Sequence, residues 1–369
     1  MELWLRDEKF VRRGMFRALE MTVVLNRSGV GAWTLDASAE QPAVSRVRDG
    51  WGVIAVEDGQ VVFSGPIEKR VIEQDSTRTV TWSGKTDMVV LEDRVTYPDP
   101  TSAAGSQTKG YYTDSGPAGE VISRLVDRNC GPGALTARRT RGFARPGLIG
   151  GNRVSVNTRL KPVVDEVQKL AAAGGLVVDL KQSGNELVLV SRPARDLSRA
   201  VRLTAHTGEV SSATMSQSAP TATVVVVGGQ GQGASRQLKE QAATSPGWGG
   251  RRIEVFQDRR DTDDPAELVK AAEETLEKAA ASATASSTVT DTPRRRFGVH
   301  YNVGDIVTVS FGDGAQVSET VESATLTWTE TTRTVELTVG SHESEDDRAP
   351  AWVSRVKALD ARMRRVETQ

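Results

Sequence analysis

A constant offset of 255 residues carries Asp58-Gly59 onto Asp313-Gly314 and Thr77-Arg78-Thr79-Val80 onto Thr332-Arg333-Thr334-Val335, without a gap. Val62 falls on Val317 under the same shift. Asp-Gly supplies the two left-handed residues that a two-residue hairpin turn needs, and the tetrapeptide suits an exposed strand. A turn dipeptide and a strand tetrapeptide at one separation predict two copies of a β unit, each a strand, a tight turn and two further strands. Repeats this short in Thr, Arg and Val also arise from composition alone.

The surrounding sequence is that of an α+β, mainly β chain. At 369 residues it has room for two or three domains at about 150 residues each. Aromatics make up only 5% and glycines number 34, which favours short strands and tight turns over a helical bundle. Residues 20–36 read as a hairpin around Asn26-Arg27-Ser28-Gly29, and period-two segments follow over 52–84. Residues 97–119 turn to Pro, Ser, Thr and Gly and read as a loop. Helices are predicted over 118–129, ending before Gly131, and over 162–173, with Pro162 near the start and Gly174-Gly175 past the end. Asp264-Pro265-Ala266-Glu267 predicts a third, inserted over 264–281. Strands are expected at 176–180, 186–190, 222–227, 305–311, 321–328 and 333–339. The expected domains are a first β domain (1–97), a linker and helical segment (98–175), a second β domain (176–340), and a polar linker with a C-terminal helix (341–369).

Charge and composition narrow the chemistry. Lys and Arg total 47 against 48 Asp and Glu, so no global field draws the chain to nucleic acid or an anionic membrane, and no specific nucleic acid is expected as a partner. The longest aliphatic run is Val224–Val227, far short of the roughly 20 residues of a membrane-spanning helix, and the first residues lack a signal-peptide pattern. Cys130 is the only cysteine and the three histidines are scattered, so no metal site or cofactor is expected. Cys130 reads as a packing residue at a helix end. Thr223 through Ala234 contains Gly229-Gln230-Gly231-Gln232-Gly233-Ala234 after a valine run, which resembles a dinucleotide-binding fingerprint, with Glu254 as its acid. The flanks carry strand periodicity instead of βαβ units, so Gly228–Gly233 reads as a turn. Arg138, Arg139, Arg141, Arg145 and Arg153 form one basic run and Arg294-Arg295-Arg296 another; both suit solvated loops or subunit contacts. No residue stands out as catalytic: hydrolase and nucleophile motifs are absent, and acid pairs such as Glu273-Glu274 sit on a polar helix face.

Near the C-terminus, Trp352, Val356, Leu359, Met363 and Val366 recur at alternating intervals of four and three, the a/d spacing of a coiled coil. They predict an amphipathic helix that acts in self-association or packs on its own domain.

Three segments carry a resemblance: Leu3-Trp4-Leu5-Arg6-Asp7 before the first hairpin, Val225 through Gly233 followed by Arg236, and Tyr301-Asn302-Val303-Gly304-Asp305-Ile306-Val307-Thr308-Val309. With them the chain resembles the minor tail, or tail-tip (baseplate) hub, proteins of long-tailed actinobacteriophages. That resemblance implies a non-enzymatic virion protein assembled in the host cytoplasm and placed at the tail tip. It implies two tube-like β-barrel domains with helical connectors, a homotrimer, and contacts to the distal tail or tail tube protein, the tape measure protein and other tip or fibre proteins. The rival reading is a cell-wall hydrolase or nucleotide-binding enzyme of the tail.

Overall fold

Apolar alternation sets the opening strands. In the computed structural model, which describes residues 1–72, 78–204, 210–244, 248–260, 262–292, 294–311 and 314–340, β1 (Glu2–Arg6) buries Leu3 and Leu5 and pairs antiparallel with β2 (Arg12–Phe16). β3 (Glu20–Asn26) and β4 (Ala32–Ser38) form the expected hairpin, with Met21, Val23, Trp33 and Leu35 inward. β5 (Gly52–Glu57) pairs with β1 on one side and, across Asp58-Gly59, with β6 (Gln60–Pro66) on the other. β7 (Lys69–Ile72) and β8 (Thr79–Lys85) complete the run. β6 crosses β8 closely: a side chain at Gly65 would sit 2.1 Å from the Lys85 carbonyl oxygen, and one at Gly84 equally near that of Pro66. Only glycine fits such a backbone approach.

A short helix α1 (Val89–Glu92) leads into residues 97–119, where the expected loop contains β9 (Tyr112–Pro117). β9 pairs antiparallel with β10 (Arg153–Thr158), which follows α2 (Ala118–Asn129). The outward Thr113, Ser115, Arg153, Ser155 and Asn157 are exposed and polar, so the apolar half of the alternation is too sparse to read. α3 (Val163–Gly174) ends on Gly175, whose φ of 67° supplies a left-handed cap. The hairpin β11 (Leu176–Ser183) and β12 (Glu186–Pro193) follows. Val121, Leu125, Val167, Leu170, Val178 and Leu189 from these helices and strands share one core. Burying each such side chain is worth about 1.5–3 kcal/mol.

The chain then forms β13 (Arg202–Thr204) and β14 (Val210–Ser218), and within β14 it passes from a first compact unit into a second. The first unit comprises Met1–Ser212 and Ser287–Thr338; Ala213–Ser286 belongs to the second. In the second, β15 (Val224–Gly228) pairs antiparallel with β16 (Leu238–Ala242) and parallel with β17 (Glu254–Asp258). α4 (Pro265–Lys278) lays Leu268 and Ala272 on Val225 and Val227, and its N-cap Asp264 accepts from the Ala266 amide as the sequence predicts. β18 (Ser282–Val289), β19 (Ile306–Ser310), β20 (Gln316–Thr329) and β21 (Arg333–Val339) finish the described chain.

One long sheet runs in the order β14-β18-β21-β20-β3-β4-β8-β7, with β19 on β20 and β13 on β19; a second runs β2-β1-β5-β6. The barrel closure implied by the resemblance is not found among the described strands, because β14 and β7 end the long sheet and closure requires the end strands to pair.

The strands follow the offset seen in the sequence. β5, β6 and β8 moved by 255 residues start within one residue of β19, β20 and β21. The two runs differ at one place. β20 is a single strand of 14 residues whose first part pairs with β19 and whose second part pairs with β3. In the first run that path is split into β6 and β7 after Pro66, which has no amide hydrogen to continue a ladder.

Candidate functional site

The residues the sequence singles out fall in different places. Asp58 and Gly59 have φ of 51° and 76°, the doubly left-handed turn that Asp-Gly favours. This turn is docked against its own unit. Arg296 Nη1 lies 2.8 Å from Asp58 Oδ2 and Nη2 3.4 Å from Glu57 Oε1, while Arg333 Nη2 lies 3.3 Å from Glu57 Oε2. Trp328 Nε1 donates to Glu57 Oε1 at 3.3 Å, and Arg333 also pairs with Asp291. At the second turn Gly314 is exposed with φ of 85°, and Phe311 donates its amide to the Ala315 carbonyl at 2.8 Å. Asp313, Thr77 and the heptad residues Trp352, Val356, Leu359, Met363 and Val366 lie outside the described residues.

The glycine segment leads from β15 through a single 3₁₀ turn at Gly233–Ser235 into β16, not into an α-helix, so no α-helix N-terminus meets a phosphate there. Its space is taken by Arg236, which donates from Nε to the Gly229 carbonyl at 3.1 Å and from Nη2 to that of Gly228 at 3.0 Å, and pairs with Asp258. Gly231 has φ of 107°, and a side chain there would meet the Ser235 carbonyl at 2.7 Å.

Two ionic clusters went unread in the sequence. Asp305 is fully buried and accepts from Arg192 Nη1 and Arg195 Nη2, each at 2.6 Å, and from the Asn302 amide at 2.9 Å. Burial pushes its carboxyl up, but the two guanidinium groups outweigh it and hold it below the ordinary carboxylate range. Arg6 pairs with Asp87, which accepts from Ser64 Oγ at 2.6 Å, and Arg6 Nη1 donates to Gln182 Oε1 at 3.1 Å. The first cluster ties β12 and the residues after it to the loop before β19, and the second ties β11 to β1 and β6, all within the same unit. Lone charges that meet only in the fold leave no spacing signal.

Reactive chemistry is poorly served by these groups. Burial pushes the Cys130 thiol up to about 12, so it carries no thiolate for attack, and its Sγ donates to the Val126 carbonyl. Among the described residues no group of three or more His, Cys, Asp or Glu could hold a metal, and no helix is long and apolar enough to cross a membrane.

What the fold does offer is unpaired strand edge. β7 has β8 on one side and no strand on the other among those described, and its Arg70 and Ile72 are exposed. Under the 255-residue shift β7 falls on the part of β20 that takes β3 as its neighbour. β14, at the far end, exposes most of Val210–Ser218. Such edges are templates for pairing with a further strand.

The fold is shared with solved tail proteins. The 43 kDa tail protein of prophage MuSo2 from Shewanella oneidensis aligns at TM-score 0.60 and 14% identity, over 92% of this chain and 97% of that one. The tail protein from Neisseria meningitidis MC58 aligns at 0.58 and 12% identity, over 92% and 96%. Prophage tail protein gp18 from Listeria monocytogenes EGD-e aligns at 0.52 and 12% identity, over the whole of both chains. No curated protein sequence matches. Residues 2–341 match the family described as Siphovirus ReqiPepy6 Gp37-like protein, in agreement with the tail resemblance read from the sequence, and the chain belongs to that family.

Proposed function

We propose that this chain is a structural, non-enzymatic component of a siphovirus tail tip, three copies of which form a hub between the tail tube and the tip complex. The observation that carries the reading is the doubled strand pattern: each chain holds β5–β6–β8 and β19–β20–β21 at one offset, so three chains bring six comparable β modules around an axis. The resemblance to tail-tip hubs implies a six-fold tube, which a three-fold tip of doubled modules can meet.

The free edge of β7 supports the same reading. Its counterpart in β20 is covered by β3, so β7 is the place where a neighbouring molecule supplies the strand that the first module lacks. In this reading the modules lie within 1–97 and 176–340, connected through 98–175, and Asp58-Gly59 and Asp313-Gly314 are equivalent turns. Trp352, Val356, Leu359, Met363 and Val366 add self-association, and the distal tail or tube protein, the tape measure protein and tip or fibre proteins are the neighbours. The chain is assembled in the host cytoplasm and retained at the virion tip.

Quantitative mass spectrometry of purified virions tests the stoichiometry. Three copies per tail support the hub; a copy number matching the many rings of the tube would instead make it a tube subunit.

A further inference from the structure

The chain is nearly neutral as a whole, yet its charges are sorted. Between Arg128 and Lys161 it holds eight Lys and Arg residues and no Asp or Glu. Seven of those cations are exposed around α2 and β10. Arg145 pairs with Asp127 at 3.4 Å and Lys161 lies 3.9 Å from Glu166, but Arg141, Arg153 and Arg159 make no ion pair among the described residues.

The second unit carries the opposite surplus. Between Asp261 and Glu277 there are seven acids and one lysine. On α4, Leu268, Ala271 and Ala272 face inward, while Glu267, Glu273, Glu274 and Glu277 fall on the opposite arc of the helix and are exposed. Lys270 lies 3.9 Å from Glu274, and Glu267, Glu273 and Glu277 have no ion pair among the described residues. Unpaired charges of one sign gathered in one segment repel each other, so each segment is relieved by a partner of the other sign.

We propose that the basic segment Arg128–Lys161, in which Arg141, Arg153 and Arg159 are exposed and carry no ion pair among the described residues, docks the acidic face of α4 on a second copy of this chain. A polyanion would satisfy the arginines and leave the acids of the second unit uncompensated. A second copy satisfies both, because it carries the eight cations of one segment and the seven acids of the other in the same chain. Because the two surfaces differ, the contact is head-to-tail, the type that closes a ring when the rotation fits. The inference rests on the self-assembling hub reading and names the faces that meet.

A charge-swap experiment on the full chain tests it. One variant carries R141E, R153E and R159E; another carries E267K, E273K and E277K; circular dichroism confirms that both fold. Sedimentation velocity is run at about 20 mM and about 500 mM NaCl, where the screening length falls from roughly 20 Å to a few Å. Wild type is expected to associate at low salt and about tenfold more weakly at high salt. Each variant alone is expected to lose that association, and an equimolar mixture of the two to regain it. Wild type that stays monomeric at about 100 µM in low salt, variants that associate as wild type does, or a mixture without rescue would overturn the interface. So would binding of a DNA duplex by wild type that the arginine variant loses while self-association is unchanged. Virions that keep three copies while the mixture fails to rescue would leave the hub standing and remove this contact; rescue in virions with another copy number would do the reverse.

Discussion

Arg333, at the start of the last described strand, reaches Glu57, at the end of the strand before the first Asp-Gly turn, with Nη2 3.3 Å from Oε2. Each side chain is 15% exposed. The guanidinium also lies over the Trp328 ring, 5.6 Å from its centroid, and Trp328 donates to the same carboxylate. The two halves of the sequence repeat are thus fastened to each other through charges and an indole, in addition to the strand pairing of β3 with β20.

Removing Arg333 should therefore loosen the joint between the halves. R333A is expected to cost about 2 kcal/mol, because it takes one of two guanidinium partners from the shielded Glu57 carboxylate, leaves Asp291 without its Arg333 contact and bares the indole. The check is a double-mutant cycle with E57A by urea unfolding: the double variant should lose less than the sum of the single losses, and strict additivity would mean that the pair is not coupled.

Asp305 should govern acid stability. Its carboxyl is held low in the folded chain, so the stability it contributes is fully present above the ordinary value near 4 and drains away as pH falls through the folded value. D305N is expected to cost about 3 kcal/mol at pH 7, since Arg192 and Arg195 lose their shared counter-charge. Thermal melts between pH 3 and 7 should show the gap between variant and wild type narrowing toward acid; a constant gap would mean that Asp305 does not titrate with folding.

Elements whose local chemistry agrees with their packing were readable in advance. Ala118–Asn129 declares itself through Val121, Ile122, Leu125 and Val126, and α4 through Asp264 and Pro265. β21 runs from Arg333 to Val339 with alternating burial that its sequence states outright. β14 was missed because Val210–Ser218 is an exposed edge of Ser, Thr and Gln with no apolar half to the pattern. Of the site, only the turn geometry of Asp58-Gly59 was readable. The partners of Glu57 and Asp305 come from distant strands, and a charge that is satisfied only by folding looks like any surface charge beforehand.

The segment Gly228–Gly233 should be conformational. G231V forces a branched side chain into φ of 107° against the Ser235 carbonyl and is expected to destabilise the second unit by about 2 kcal/mol or more. Titration calorimetry with NAD, FAD and ATP should show no heat of binding in wild type; saturable micromolar binding that G231V abolishes would mark a nucleotide site instead.

Deleting residues 351–369 should weaken self-association through loss of Trp352, Val356, Leu359 and Met363. Sedimentation equilibrium of the truncated and full chains reads this directly. An unchanged association constant would assign those residues to packing on their own chain.

A cryo-electron microscopy reconstruction of the assembled tail tip tests the hub most directly. The account predicts three copies around the axis, with Asp58 and Asp313 in alternating, equivalent positions around the lumen and an additional strand on β7. One or six copies, or the two turns in unrelated surroundings, would contradict it.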